Sequence, residues 1–430
     1  MIRIMEYGQV KEEEIFARVT PTVYVEAIVA DILANVKQNG DKALYEYCEK
    51  FDGAVLDRLE VTPEEFDEAF NTADPEFIRV LQAAAENITL FHAQQKRDGF
   101  TLKKENGVVL GQKVLPVEKA GLYVPGGTAA YPSTVLMDSI PAKIAGVEEI
   151  VMVTPPSKNG KVNPAILAAA KIAGVDRVFK EGGAQAVASL AYGTQSIPKV
   201  DKIVGPGNAF VAEAKKQVFG LVSIDMIAGP SEILVVADGA NDPAHIAADL
   251  LSQAEHDKLA SAVLVTDSMD LALFVQAELE RQIPLLPRSE IARASIDNHG
   301  KIIVADNLEK VIDIANTLAP EHLELCVDEP FVWLTKIKHA GSVFMGRSCP
   351  EALGDYFAGP NHTLPTSGTA RFSSPLSVDD FIKKTQFIYY PEEALQEVAE
   401  DVALFARQEG LDAHANSAVI RMDRITLGDR

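Results

Sequence analysis

Residues 231–238 read SEILVVAD, residues 249–257 read DLLSQAEHD, and residues 261–267 read SAVLVTD. The first and third stretches are short apolar runs typical of buried strands, and the apolar, Ala-rich stretch between them predicts a helix. A strand, a helix and another strand in this order predict two parallel strands joined by a crossover helix. This stretch therefore predicts an α/β fold.

Gln253 and His256 stand three residues apart at the end of that predicted helix, so they share one helical face. Two neutral side chains with lone pairs on one face could form half of a metal site. A His in the last turn also interacts favourably with the helix dipole and can cap free carbonyls. Taken alone, the pair favours this second, structural interpretation.

The same alternation of apolar runs and helical stretches extends in both directions. It begins near Gly121 with GLYV, continues through EIVMVTPP and DKIVGPGN, restarts at Ser231, and reaches SVFMG at residues 342–346. Two such series predict two parallel-sheet modules, over residues 121–230 and 231–378.

The flanking segments have a different pattern. Residues 1–120 predict a helical segment with short β stretches near residues 106–117, and Thr62 and Glu65 have the spacing of a capping box. From about Asp379, DDFIKKTQF and the residues after it are polar and predict helix. The amphipathic stretch 379–430 is expected to dock as an arm on another surface.

Composition excludes several classes of protein. The 430 residues carry 40 basic and 62 acidic side chains, a formal charge of −22 that disfavours nucleic-acid and anionic-membrane partners. The three cysteines lack C-x-x-C spacing, and neither a signal-peptide core nor a membrane-length apolar run is present. These features predict a cytoplasmic protein.

Two glycine-rich loops could receive a phosphate at a helix N-terminus, YVPGGTAAYPSTV at residues 123–135 and VGPGNAFVAEA at residues 204–214. Neither loop is a G-x-G-x-x-G fingerprint, because Phe210 stands where the third glycine is required. A structural tight turn explains each loop equally well.

Histidines stand in unusual surroundings at positions 256, 322, 362 and 414, although a capping, turn or packing role would explain each one alone. A metal needs three or four ligands. The scattered residues Gln253, His256, Asp355 and His414 would form a nitrogen and oxygen set that suits zinc. Because these residues are scattered along the chain, their spacing is compatible with such a site but does not establish it.

Nucleophilic catalysis has little support in the sequence. Ser231 lacks the G-x-S-x-G elbow of a hydrolase and is better explained by a β-turn. Cys326 lies in an apolar run and is expected to be an inert core thiol, while Cys349 has no flanking base to activate it.

Taken together, eight segments in order along the chain resemble the histidinol dehydrogenase family. They are GLYVPGGTAAYPSTVLM, IVGPGNAFVAEAKKQVFG, IDMIAGPSEILVVAD, DLLSQAEHD, LAPEHLEL, AGSVFMG, GDYFAGPNHTLPT and EGLDAHANSA. The resemblance implies two incomplete Rossmann-like domains, a helical N-terminal segment and a C-terminal helical arm. It also implies an intertwined homodimer in which the arm completes the partner's site.

The resemblance places functional roles on matching residues. It implies zinc ligands at Gln253, His256, Asp355 and His414, and a catalytic pair at Glu321 and His322. Substrate contacts are implied at Ser231, Gln253, His256, His322, Asp355, His362, Glu409 and His414. Contacts with NAD are implied at Tyr123, Gln185 and Asn208.

The implied reaction is the oxidation of L-histidinol to L-histidine through an aldehyde, with two NAD molecules reduced in sequence. Two alternatives stay open. One is a zinc-dependent NAD dehydrogenase of another polar alcohol, and the other is a non-catalytic zinc and ligand-binding protein with the same fold.

Overall fold

A computed structural model describes residues 1–18, 25–126 and 130–427 of the chain. The chain forms two compact units. The first unit consists of Met1–Lys96 with Val117–Phe381, and the second consists of Arg97–Pro116 with Ile382–Arg430.

The strands and helices are numbered separately in chain order. The strands are β1 (Arg3–Glu6), β2 (Phe100–Lys103), β3 (Val109–Pro116), β4 (Lys119–Tyr123), β5 (Glu149–Thr154), β6 (Arg177–Lys180), β7 (Lys202–Val204), β8 (Ser223–Ile224), β9 (Glu232–Ala237), β10 (Ser261–Thr266), β11 (Lys301–Val304), β12 (His322–Cys326), β13 (Ser342–Met345) and β14 (Ile382–Tyr389). The helices are α1 (Glu12–Ile15), α2 (Glu26–Asn39), α3 (Asp41–Tyr47), α4 (Pro63–Thr72), α5 (Pro75–Ala93), α6 (Pro132–Ala145), α7 (Pro164–Ala173), α8 (Gly183–Tyr192), α9 (Ala209–Val218), α10 (Pro243–Ala254), α11 (Met269–Gln282), α12 (Ser289–His299), α13 (Leu308–Leu318), α14 (Pro330–Leu334), α15 (Glu351–Tyr356), α16 (Glu392–Gln408) and α17 (Asp412–Leu427). A π-helical turn at Cys48–Asp52 and 3-10 turns at Ile283–Leu285, Thr369–Arg371 and Val378–Phe381 complete the set.

The first sheet of the first unit is parallel and has the strand order β6-β5-β4-β7-β8. Counted along the chain, this order is 3-2-1-4-5, so the direction of winding reverses between β4 and β7. That reversal is the mark of a Rossmann-like sheet, and crevices for ligands form outside the carboxyl ends of the strands at such a point.

The second sheet repeats this topology. Its order is β1-β11-β10-β9-β12-β13, and all its neighbouring strands are parallel. The strands β9 to β13 again follow the order 3-2-1-4-5, which confirms the predicted α/β class with two related parallel sheets. No sequence pattern predicted β1, which extends the edge by pairing Arg3 with Lys301.

The central strands are apolar because helices cover both faces of each sheet. In β9 and β10 every residue after the first is buried. Such nearly continuous apolar runs are typical of parallel sheets and explain why the sequence shows no polar alternation there. The buried strands therefore position the candidate site residues, which lie at or near the strand ends.

Helix α4 begins where the capping-box spacing predicted. Thr62 Oγ1 accepts a hydrogen bond from the backbone N–H of Glu65, and the Glu65 side chain accepts one from the backbone N–H of Thr62. This reciprocal capping box starts α4, and at the start of α5 the Asp74 side chain accepts a single hydrogen bond from the backbone N–H of Glu76. Gly40 separates α2 from α3 with a φ of 56°, a conformation that favours glycine.

The second unit contains an antiparallel sheet in the order β14-β3-β2 and the helix pair α16 and α17. The prediction of helix for DDFIKKTQF was wrong. Val378–Phe381 is a 3-10 turn, and β14 then pairs with β3 from Ile382 opposite Pro116 to Tyr389 opposite Val109. The strand is stabilised by a partner distant in sequence, which local polarity could not indicate.

The lengths and apolarity of the helices bear on whether any of them could cross a membrane. Across residues 1–18, 25–126 and 130–427, no helix combines the length and apolarity that crossing a bilayer would require.

Candidate functional site

The predicted catalytic pair lies at the amino ends of β9 and β12. His322 is the first residue of β12 and pairs with Ile233 of β9, while Glu321 and Ser231 directly precede these two strands. Glu321 Oε2 accepts a hydrogen bond of 2.8 Å from the backbone N–H of Glu232. Two adjacent parallel strands therefore bring the three predicted residues to one edge of the second sheet.

Glu321 is only 7% exposed. This burial raises the pKa of Glu321 to about 8, although the neighbouring His322 acts in the opposite direction. A carboxyl group with a raised pKa is a strong base whenever it is ionised, which suits the activation of a water molecule.

The hydrogen bonds of His322 fix the roles of its two ring nitrogens. Nδ1 lies 3.1 Å from the backbone oxygen of Glu232, and because a carbonyl only accepts, Nδ1 carries a hydrogen. Nε2 then holds the lone pair of the neutral ring. It lies 3.4 Å from Asp355 Oδ1 without hydrogen-bonding geometry and has no partner among the described residues.

The charge environment of His322 is strongly acidic. Burial disfavours the charged ring, but the carboxylates of Glu351, Glu321 and Asp355 outweigh it and raise the pKa of His322 well above its usual value. A buried imidazole surrounded in this way can accept a proton and hold it.

Gln253 and His256 lie together at the end of α10. The backbone N–H of His256 donates to the carbonyl of Gln253 at 3.1 Å, and the Gln253 side chain is buried. Burial lowers the pKa of His256, and the charge on Asp355 only partly opposes this effect. The ring is therefore favoured in its neutral form, which is the form that binds metals.

Helix α15 contributes Glu351 and Asp355, one turn apart and therefore on the same face. Burial alone would raise the pKa of Asp355. The nearby His322 ring, whose Nε2 lies 3.4 Å from Asp355 Oδ1, and the charges of His362 and His256 lower it instead. Asp355 is thus an ionised carboxylate among three predicted site histidines.

His362 is held through both ring nitrogens. Nδ1 lies 3.0 Å from the backbone oxygen of Asp355, and Nε2 lies 3.2 Å from Thr134 Oγ1. Burial lowers the pKa of His362. The loop that contains GPNH therefore contributes an oriented and largely neutral imidazole to the same cluster.

Among the described residues, His322, Glu351 and Asp355 can hold a metal ion, since their ligand atoms lie within 4.8 Å of one another. Asp355 is the only member that belongs to the predicted zinc set. Gln253 contacts Glu351, and His256 lies near enough to Asp355 to interact with its charge, so an amide and a second imidazole stand beside this triad. Such a nitrogen and oxygen donor set is chemically suited to zinc.

Glu351 was missed by the sequence analysis. It stands in PEALGDY, four residues before Asp355, and it is only 2% exposed. Two carboxylates at this spacing share one helical face, and that spacing was the one signal that could have identified Glu351.

Glu409 and His414 belong to the second unit, whereas the other predicted residues belong to the first. Glu409 is the C-cap of α16, and His414 lies in the first turn of α17. Both side chains are exposed and thus accessible to another chain.

A cavity of about 720 Å³ in the first unit is lined by Tyr123, Gln185 and Asn208, the three residues for which contacts with NAD were predicted. Tyr123 ends β4, and Asn208 caps α9 after β7, so the cavity opens at the reversal point of the first sheet. The hydroxyl of Tyr123 accepts a hydrogen bond from the backbone N–H of Gly183 at 3.1 Å.

A second depression, of about 840 Å³, is lined by residues of α4, α5 and α7, among them Phe70, Gln82 and Lys171. None of the predicted site residues lines it. The cavity at the reversal point therefore remains the better candidate for a dinucleotide.

The reversal point of the second sheet is closed by side chains at its carboxyl end. Arg347 donates to both carboxylate oxygens of Asp238, at 2.8 and 2.7 Å, and also pairs with Asp328. Asn241 donates to the backbone oxygen of Cys326 at 2.7 Å. These contacts fill the carboxyl end of this sheet, whereas the predicted catalytic pair lies at the amino ends of its strands.

Cys326 agrees with the expectation of an inert core thiol. Cys326 is buried, and burial together with the nearby Glu324 and Asp249 raises the pKa of its thiol. A thiol in this state is a poor nucleophile, so thiolate catalysis has no support at Cys326.

Comparison with known proteins adds an independent finding. A family model described as histidinol dehydrogenase matches residues 18–422. The histidinol dehydrogenase of Clostridium acetobutylicum is 53% identical over 426 residues, which cover 98% of this chain and 99% of that protein. The histidinol dehydrogenase of Bacillus subtilis is 55% identical over 398 residues and 93% of either chain.

A solved structure supports the same relationship. The crystal structure of histidinol dehydrogenase from Elizabethkingia anophelis has a TM-score of 0.94 to this structure, with 38% sequence identity and 99% coverage of both chains. The similarity therefore extends over the whole fold.

Proposed function

Because this chain belongs to the histidinol dehydrogenase family and is an oxidoreductase, we propose that it oxidises L-histidinol to L-histidine through the aldehyde, with NAD as the hydride acceptor. The observation that carries this proposal is the cluster of buried Glu321 and His322 with the half-buried Asp355, beside Gln253 and His256. It combines two candidate bases with donors that suit a metal.

Zinc would be held by Gln253, His256 and Asp355, with a fourth ligand from the partner subunit's His414. When bound, zinc would supply a docking point for the imidazole and amino nitrogens of the substrate and so orient its hydroxyl group. Ser231, His362 and Glu409 would make further contacts with the substrate.

The first oxidation removes a proton and a hydride from the alcohol. When its ring is neutral, His322 takes the hydroxyl proton on Nε2 while the carbon-bound hydrogen leaves as hydride to NAD. The product is the aldehyde. The hydrogen bond from Nδ1 to the Glu232 carbonyl keeps the ring in the required tautomer.

The second oxidation needs water. Glu321 takes a proton from a water molecule as the water oxygen bonds to the aldehyde carbon, and the aldehyde oxygen takes up the proton that His322 gained in the first step, which forms the hydrate. His322 then takes a proton from a hydrate hydroxyl, and a second hydride leaves to a second NAD molecule. The carbon ends as a carboxylic acid, so four electrons leave each substrate molecule.

The cofactor would occupy the cavity lined by Tyr123, Gln185 and Asn208. Its position at the carboxyl ends of β4 and β7 supports this proposal, because dinucleotides bind at such points in related sheets. The Asn208 side chain accepts hydrogen bonds from the N–H groups of Phe210 and Val211 and so caps the start of α9 beside this cavity.

We further propose a homodimer with shared active sites. On α16, Val402, Leu404 and Phe405 are exposed, with 69% of the Phe405 side chain accessible. Exposed apolar side chains grouped on one helix mark an interaction surface. A second copy of the chain would cover this surface and receive His414 and Glu409 in its own site.

Subunit mixing tests the shared site. His322→Asn and His414→Asn are each expected to be nearly inactive when expressed alone. Coexpression with random pairing gives heterodimers with one intact site of two, so about a quarter of wild-type activity should return. If each His414 served its own subunit, no site would be intact in the heterodimer and no activity would return.

The identity of the substrate has its own test. The ratio of kcat/KM for L-histidinol to that for L-phenylalaninol, which lacks ring nitrogens, is expected to be roughly 10² or more. Equal values would indicate a dehydrogenase of another alcohol. Absence of turnover with any alcohol, despite bound zinc, would indicate a binding protein.

A further inference from the structure

The amide of Gln253 has one orientation that fits its surroundings. With its nitrogen toward Glu351, the amide can donate to both carboxylate oxygens, at 3.2 Å for Oε2. The opposite orientation would place the amide oxygen against two acceptors. Gln253 and Glu351 are 1% and 2% exposed, so water cannot relieve such a conflict.

The carboxylate of Glu351 is itself held in place. Ser252 Oγ donates to Glu351 Oε2 at 3.0 Å, and the backbone N–H of Glu351 donates to Glu324 Oε1 at 2.7 Å. The first bond ties the carboxylate to α10, which carries Gln253. The second ties the start of α15 to β12, which carries His322.

The same carboxylate reaches the proposed base. Glu351 Oε1 lies 3.5 Å from His322 Nδ1, on the opposite side of the ring from Nε2. One buried side chain therefore lies between a proposed zinc ligand and the proposed catalytic histidine.

We propose that Glu351 is a positioning residue that fixes the amide of Gln253 with its nitrogen toward the carboxylate and its oxygen toward the zinc. This inference rests on the zinc site of the proposed function. An amide that is not held can rotate and present its nitrogen, which has no lone pair for a metal. Partners of this kind orient metal ligands and strongly affect metal affinity.

The direct test is the zinc dissociation constant of Glu351→Gln, measured by competition with a chelator in the absence of substrate. The substituted amide keeps the shape of the side chain but offers one acceptor instead of two. The affinity is expected to fall about 10-fold to 100-fold. Glu181→Gln is the matched control, because Glu181 is also fully buried and has no hydrogen-bond partner for its carboxylate among the described residues.

Exchange of the two groups distinguishes orientation from general support. In the double variant Gln253→Glu with Glu351→Gln, the new carboxylate can bind zinc through one oxygen and accept from the new amide through the other. Gln253→Glu should therefore improve zinc affinity at least about tenfold more in the Glu351→Gln background than in the wild type. If Gln253→Glu changed the zinc affinity by the same factor in both backgrounds, the two substitutions would act independently and the proposal would be overturned.

Two further outcomes are decisive. An unchanged dissociation constant in Glu351→Gln would overturn the inference while the wild-type zinc site stands. Failure of the wild type to bind zinc would remove the zinc site itself. If Glu351→Gln does not fold, Ser252→Ala replaces it, and loss of that hydrogen bond should weaken zinc binding about threefold or more, whereas an unchanged affinity overturns the proposal.

Discussion

Replacement of His322 by asparagine is expected to lower kcat for L-histidinol about 10²-fold to 10⁴-fold and to leave the zinc content near that of the wild type. Asparagine can still donate to the Glu232 carbonyl but has no group at the position of Nε2. Both oxidation steps therefore lose their base. The measurements are steady-state turnover with L-histidinol, turnover with the aldehyde, and zinc per chain.

His245→Asn is the matched control for this substitution. His245 lies near the start of α10, and 74% of its side chain is exposed. Its replacement should leave turnover and zinc content unchanged.

The zinc content decides between two roles for His322. Its Nε2 lies close to Asp355, and the triad of His322, Glu351 and Asp355 could itself hold a metal ion. Loss of zinc in His322→Asn would make His322 a ligand and refute its assignment as the base. Retention of zinc with loss of both half-reactions would support the assignment.

The proposed cofactor cavity and the proposed catalytic pair lie at opposite ends of the strands in the two sheets. The proposed cofactor cavity lies at the carboxyl ends of the first sheet, as expected for a Rossmann-like topology. The proposed catalytic pair lies at the amino ends of the second sheet, whose carboxyl crevice is closed by Arg347 and Asp238. A shared topology therefore does not imply a shared functional edge.

The α/β class could be predicted because both series of parallel strands are buried and apolar. The capping box at Thr62 could also be predicted from the sequence, because it depends on two residues that are only three positions apart. β1 and β14 could not be predicted, because each is short or polar and gains its hydrogen bonds from a strand distant in sequence.

In the candidate site, too, a residue whose role depends on partners distant in sequence could not be predicted. The resemblance identified residues that stand in distinctive segments, such as His322 in LAPEHLEL. Glu351 stands outside those segments, and its importance arises from the packing of α15 against α10 and β12. A contact of this kind depends on the tertiary fold, so neither composition nor spacing could identify its partners.

The most direct test of the proposed function is the number of NADH molecules formed per L-histidinol consumed. The purified protein would be measured as isolated, after removal of metal by a chelator, and after zinc is restored. Two NADH per substrate are expected, with no turnover after chelation and full recovery with zinc.

A ratio of one would contradict the four-electron reaction, because oxidation would then stop at the aldehyde and Glu321 would not activate water. Full turnover after complete removal of the metal would contradict the role of zinc. A ratio of two that depends on zinc would support both the four-electron reaction and the role of zinc.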